Sequence, residues 1–179
     1  NGVNRTYGLL NDPALPAYVT VNNGASGNTE WSSKTFLEIT ADIRNAVAAL
    51  RTQSQDLIDP ESVNITMGLA TSVIDRLSVT SDFGVSVRDW LTKTYPKIRV
   101  ISAPELNGAN GGANVMYLYA ENFGEESTDD GATMIQVVPA KFQTLGVEKR
   151  AKTYLESYSN ATAGVMVKRP WAVYRATGL

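Results

Sequence analysis

The chain has 179 residues, 43% of them hydrophobic, enough for one cored domain or for a domain with a sub-domain. It contains no cysteine and no histidine, which excludes disulfides, cysteine nucleophiles, serine–histidine triads and any zinc site built on those residues. Net charge is −2 with 19% charged residues, below the ~25% usual in soluble domains, so bulk electrostatics offer nothing to nucleic acid.

No run of about 18 apolar residues marks a membrane span. No secretory leader is legible, and a first residue of Asn1 rather than Met reads as a processed chain or a fragment. Residues 1–30 are rich in Gly, Asn, Ser and Pro (NDPALP, NNGASGNTE). That is a loop composition, with short extended pieces such as Ala17 to Val21.

In SSKTFLEITADIRNAVAALRTQSQ, apolar residues fall at Phe36, Ile39, Ile43, Val47 and Leu50. Steps of three and four define one helical face. Ser32 or Ser33 can cap the start. Glu38 and Asp42 stand early, Arg44 and Arg51 late, as the helix dipole favours. No Gly or Pro interrupts Ser33 to Gln55, so the pattern predicts a helix over 33–55, ~33 Å long at ~1.5 Å per residue. The mean globular helix has about 11–12 residues; one twice as long needs a long partner.

IDPES is a turn, VNITMGL a buried strand, ATSVIDRL a short helix and SDFG a break. SVRDWLTKTY predicts a helix with a Ser86–Asp89 capping box, stopped at Tyr95-Pro96. Ile98 to Ser102 is a strand. This β-α-α-β order suggests a compact α/β sub-domain over about 60–140. GANGGAN, 108–114, lacks both phosphate-loop patterns and precedes a strand rather than a helix, so it reads as a mobile surface loop. NVMYLYAE and TMIQVVPA are strands, expected to pair as a hairpin across the acidic loop ENFGEESTDDG, 121–131.

KRAKTYLESYS alternates, with Tyr154, Glu156 and Tyr158 on one face. Extended from Lys149 to Ser159 it would reach ~36 Å at ~3.3 Å per residue, close to the expected helix length. ATAGVMVK and WAVYRAT supply the next strands, and Pro170 marks an edge, a bulge or their junction. Trp171, Val173 and Tyr174 stand so near the end because the terminus is expected to complete a sheet under the helix.

Few residues suggest chemistry. Glu121, Glu125, Glu126, Asp129 and Asp130 offer hard oxygens for calcium, but their spacing misses the calcium-loop pattern. Glycoside hydrolysis by paired carboxylates would need an aromatic cleft that the neighbouring sequence lacks. A solvated acidic loop is the simpler reading. Sequons at Asn4, Asn64 and Asn160 read as chance matches. Lys168, Arg169 and Arg175 suit either an acidic partner or an ordinary solvated strand. Trp31 and Trp171 suit either interface anchors or core packing. No catalytic residue, metal ligand or cofactor is expected.

Taken in order, YGLLNDP, Trp31 with the Phe36–Leu50 helix, the helix ending in YPKI, APEL after a strand, and the closing NATAGVMVKRPWAVYRATGL resemble the major capsid proteins of tailed bacteriophages. The closing A-G-V-x-x-K-R-P-x-A-V segment is the most specific element, and the resemblance covers most of 5–179. It implies an α+β chain of the Hong Kong 97 type capsid fold, also used by encapsulin shells. A peripheral domain, 1–59 and 141–179, would hold a spine helix at 33–55 on a long antiparallel sheet. An α/β axial domain would fill 60–140. The N-terminal arm and most of the extended loop would be absent.

The implied function is a structural shell protein, made in the bacterial cytoplasm and residing in the virion capsid. It would self-assemble into an icosahedral head that packages DNA. Partners would be identical subunits in hexamers and pentamers, with scaffold or minor capsid proteins, and neither a specific nucleic acid sequence nor a membrane. Candidate subunit-interface residues are Trp31, Glu125, Glu126, Asp129, Asp130, Lys168, Arg169, Trp171 and Arg175. The alternatives are an encapsulin-like compartment with protein cargo, a carboxylate- or metal-dependent enzyme, and a monomeric binding module of a tail or baseplate.

Overall fold

The computed structural model describes residues 7–123, 128 and 131–179. In chain order the elements are β1 (Val19–Thr20), α1 (Phe36–Gln53), β2 (Ile65–Ala70), α2 (Val87–Thr94), β3 (Ile98–Ala103), β4 (Val115–Ala120), β5 (Met134–Val137), β6 (Ala140–Lys149), β7 (Tyr154–Ala161), β8 (Gly164–Val167) and β9 (Val173–Thr177). Single 3₁₀ turns stand at Trp31–Ser33, Ile74–Ser78, Pro104–Leu106 and Pro170–Ala172. Contacts gather these into two compact units, one of 14–133 with 169–179, the other of 1–13 with 134–168.

The first unit is built on a mixed five-stranded sheet in the order β1-β9-β4-β2-β3. β2 runs parallel to β3 and antiparallel to β4, β4 antiparallel to β9, and β1 parallel to β9. Every residue of β2 is buried, which explains why VNITMGL reads as a continuous apolar run rather than an alternation. The crossover from β2 to β3 carries α2 as expected, but where ATSVIDRL predicts a first short helix the chain has only the 3₁₀ segment Ile74–Ser78, and Ala70 still belongs to β2. Ser86 caps α2 by accepting from the Asp89 amide. The expected hairpin of NVMYLYAE with TMIQVVPA does not form. β4 is a central strand, nearly all buried, and pairs on both sides with β2 and β9, leaving β5 to pair with β8.

Helix α1 packs on β4 and β9 through Ile39, Ile43, Ala46, Val47 and Leu50. It has 18 residues, about 27 Å at ~1.5 Å per residue, and so is shorter than the expected 33–55. Ser32 and Ser33 fall in the preceding 3₁₀ turn, and Thr35 caps the helix in a box with Glu38. Lys34 and Thr35 are extended because the Lys34 side chain turns inward to Asp42. At the other end Gln55 and Asp56 take positive φ, which ends the helical path. Gln53 Nε2 donates to the carbonyls of Trp171 and Val173 at 2.7 and 2.9 Å, fastening the end of the helix to the last strand. The C-terminus thus does complete the sheet under the helix, but that sheet is the mixed one. The long antiparallel strands belong to the other unit.

In that second unit β5 pairs with β8 and β6 with β7, all antiparallel. The stretch from Lys149 to Ser159 is not one strand: the chain reverses at 150–153, where the Arg150 amide donates to the Thr153 carbonyl at 2.8 Å.

Candidate functional site

Among the described residues no group of three or more acids could hold a metal ion, and no helix is long and apolar enough to cross a membrane. A groove of about 720 Å³ is lined mainly by Phe36, Leu37, Val79, Phe83, Val85 and Trp90, with Asp82 as its single ionisable residue. It pairs no nucleophile with a base, so it offers recognition surface rather than chemistry. The GANGGAN loop is fastened rather than free: Asn110 donates to Thr177 Oγ1 at 3.1 Å and Asn114 to the Leu179 carbonyl at 3.3 Å.

The sequence candidates do not converge on one site. Trp31 has no exposed surface; its Nε1 donates to Asp42 Oδ2 at 2.9 Å, so it is a core residue and offers nothing to a neighbouring chain. Arg175 is also buried, with Nε donating to the Pro16 carbonyl at 2.6 Å and its guanidinium 4.2 Å from the Tyr18 ring centre. It ties the entry segment to β9. Trp171 is half-buried with its ring 4.9 Å from that of Phe123, and Arg169 donates to the Ala132 carbonyl. Lys168 is exposed. Glu125, Glu126, Asp129 and Asp130 lie outside the described residues. Glu121 accepts from Arg99 at 2.9 Å.

What the sequence reading missed is the exposure of β6 and β7. From Lys141 onward every residue of both strands is exposed. Phe142, Leu145, Val147, Tyr154, Leu155 and Tyr158 are large apolar residues left in solvent. The Phe142 ring stacks on Tyr158 with centroids 5.1 Å apart and planes 23° apart. The available signal was KFQTLGV, an apolar segment facing the alternation at Tyr154, Glu156 and Tyr158.

Large exposed apolar side chains clustered on one hairpin are the kind of surface that interaction sites use. The Pa193 gp26 major capsid protein family matches residues 1–178. The chain belongs to that family. Among solved structures, the capsid of Myoviridae phage XM1 is similar with a TM-score of 0.69 at 20% identity, over 98% of this chain and 54% of that one. A virus-like particle from Pyrococcus furiosus is similar with a TM-score of 0.56 at 14% identity, over 92% of this chain and 57% of that one. At such identities the likeness establishes the fold, an α+β phage capsid fold. The chain spans about half the length of those two proteins. No curated protein matches its sequence. Membership of a major capsid protein family indicates a structural role.

Proposed function

We propose that this protein is the shell subunit of a tailed-phage head, residing in the virion capsid and enclosing DNA. Identical subunits with complementary edges can associate into rings that close on a symmetric shell, with no chemistry required of any side chain. The family match over 1–178 carries this reading. The solvent-exposed apolar hairpin supports it, because a monomer gains nothing from keeping Phe142, Tyr154 and Tyr158 in water.

Within the fold we read α1 as the spine helix, 1–59 with 141–179 as the peripheral part, and 60–140 as the axial part. The mixed sheet, which draws strands from both parts, would be their joint. Lys168 and Arg169, at the return to that sheet, and the acidic residues Glu125, Glu126, Asp129 and Asp130 would meet neighbours of opposite charge, and half-buried Trp171 would offer an apolar anchor beside them. Arg175 would act indirectly, by holding the entry segment. Hexamers and pentamers would be the assembly units, with scaffold or minor capsid proteins as further partners.

Negative-stain imaging of the full-length protein tests this reading. Hollow particles of uniform diameter are expected, and a purely monomeric population would contradict it. The likeness to the Pyrococcus furiosus particle favours one second reading, a protein compartment. Extracting the particle contents separates the two: packaged DNA supports the phage head, a single protein cargo the compartment.

A further inference from the structure

The two strands of the exposed hairpin have unequal outer edges. Between the pairs Ala140↔Ala161 and Gln143↔Ser159, β6 advances three residues while β7 advances two, and the same happens between Thr144↔Tyr158 and Val147↔Glu156. Both irregularities therefore sit on β6, and the second contains Gly146 at φ 99°. Bulges and lysines are the usual guards of a sheet edge. β6 has both, since Lys141 and Lys149 flank the bulges. β7 has neither. Its eight residues, YLESYSNA, contain one charge, Glu156, and no Lys or Pro. Among the described residues its sole strand partner is β6.

The faces are unequal too. Side chains alternate along a strand, and the register sets Thr144 opposite Tyr158, Val147 opposite Glu156 and Lys149 opposite Tyr154. Phe142 stacks on Tyr158, so Phe142, Thr144, Val147, Lys149, Tyr154, Glu156 and Tyr158 share one face, its aromatic rings interspersed with Glu156 and Lys149. A two-stranded sheet with these rings in water is marginal by itself and needs more strands or a packing partner.

We propose that β7 pairs with β7 of a second copy, antiparallel, about a two-fold axis at Ser157. The result is a four-stranded sheet β6-β7-β7-β6 that carries the Phe142, Tyr154 and Tyr158 rings of both copies, with Glu156 between them, on one face. The proposal rests on the shell-subunit reading and specifies one of its contacts. Such a contact is self-complementary: what residue i does to j, j does to i. Centred on Ser157, the register sets Glu156 opposite Tyr158 of the second copy, Leu155 opposite Ser159 and Tyr154 opposite Asn160, so no like charges meet. Main-chain bonds along an added strand give affinity. An eight-residue edge falls short of the ~800 Å² per partner that a stable isolated pair needs. The contact is therefore weak singly and effective when repeated around a closed assembly.

The absence of native cysteine makes the test clean. Directly opposed Cβ atoms in an antiparallel pair lie ~4.5–5.5 Å apart, close to the ~3.5–4.5 Å a disulfide spans. In particles of the full-length protein, Ser157→Cys should give disulfide-linked dimers under mild oxidation, while Thr144→Cys on the bulged strand should not. Ser157→Lys, which alters an exposed side chain, should lower particle yield at least tenfold with an unchanged melting curve. Particles that form normally with no cross-link at position 157, or that cross-link equally at both positions, would overturn the pairing and leave the shell reading standing. If the unmodified protein forms no particles, the shell reading falls and the pairing falls with it.

Discussion

Lys34 and Asp42 form a buried ion pair, their side chains 1% and 4% exposed and their charged atoms 2.6 Å apart. Lys34 Nζ also donates to the Asn22 carbonyl at 2.6 Å, and Trp31 Nε1 to the same Asp42 oxygen at 2.9 Å. Removing one partner of such a pair strands the other charge, so Asp42→Ala should cost about 3–5 kcal/mol in urea unfolding. Replacing both, with Lys34→Met and Asp42→Leu, should recover most of that loss; no recovery would mean that the charges act through more than this network. Tyr117 gives a second test at this scale. Burial first, then the bond with Tyr18 at 2.8 Å, holds its phenol well above the ordinary tyrosine range. The folded chain keeps this proton where the unfolded chain has lost it. The contribution is complete below about pH 10 and is lost as pH rises toward the folded value. Tyr117→Phe should flatten the alkaline fall in stability, measured as melting temperature against pH. An unchanged slope would assign that fall to other groups.

Helix α1 shows at the element scale why some features were legible. The steps Ile39, Ile43, Val47 and Leu50 encode a buried face locally, and that face is the one against β4 and β9. Its start was not legible, because Lys34 leaves the helical path to reach Asp42 and the Asn22 carbonyl, partners the local pattern does not reveal. The cap moves to Thr35 as a result. Thr35→Ala should therefore cost ~1 kcal/mol in denaturant unfolding, while Ser33→Ala should be near neutral; the reverse order would restore the cap to the serine. Strand partnership was misread for a related reason. β4 is nearest in sequence to β5, yet a strand buried on both faces needs a neighbour on each side, and β9 arrives more than fifty residues later. The same non-locality hides interfaces. Trp31 and Trp171 look alike in sequence, and their fates are set by Asp42 in one case and Phe123 in the other. The hairpin's alternation was visible, but its exposure depends on what the rest of the chain leaves uncovered.

At the scale of the whole molecule, one unit holds a conventional core and the other carries apolar strands to solvent. On the proposed shell-subunit reading, identical neighbours would cover those strands, in keeping with membership of the Pa193 gp26 major capsid protein family. The account therefore makes assembly, rather than any site within the chain, the seat of function. A cryo-electron microscopy reconstruction of the full-length protein's assembled product tests this most directly. The account predicts a closed symmetric shell whose wall contains this fold, with the β6–β7 hairpin pressed against a neighbouring subunit. A reconstruction showing that hairpin bare to solvent in every subunit, or a product that never exceeds a small oligomer, would contradict it.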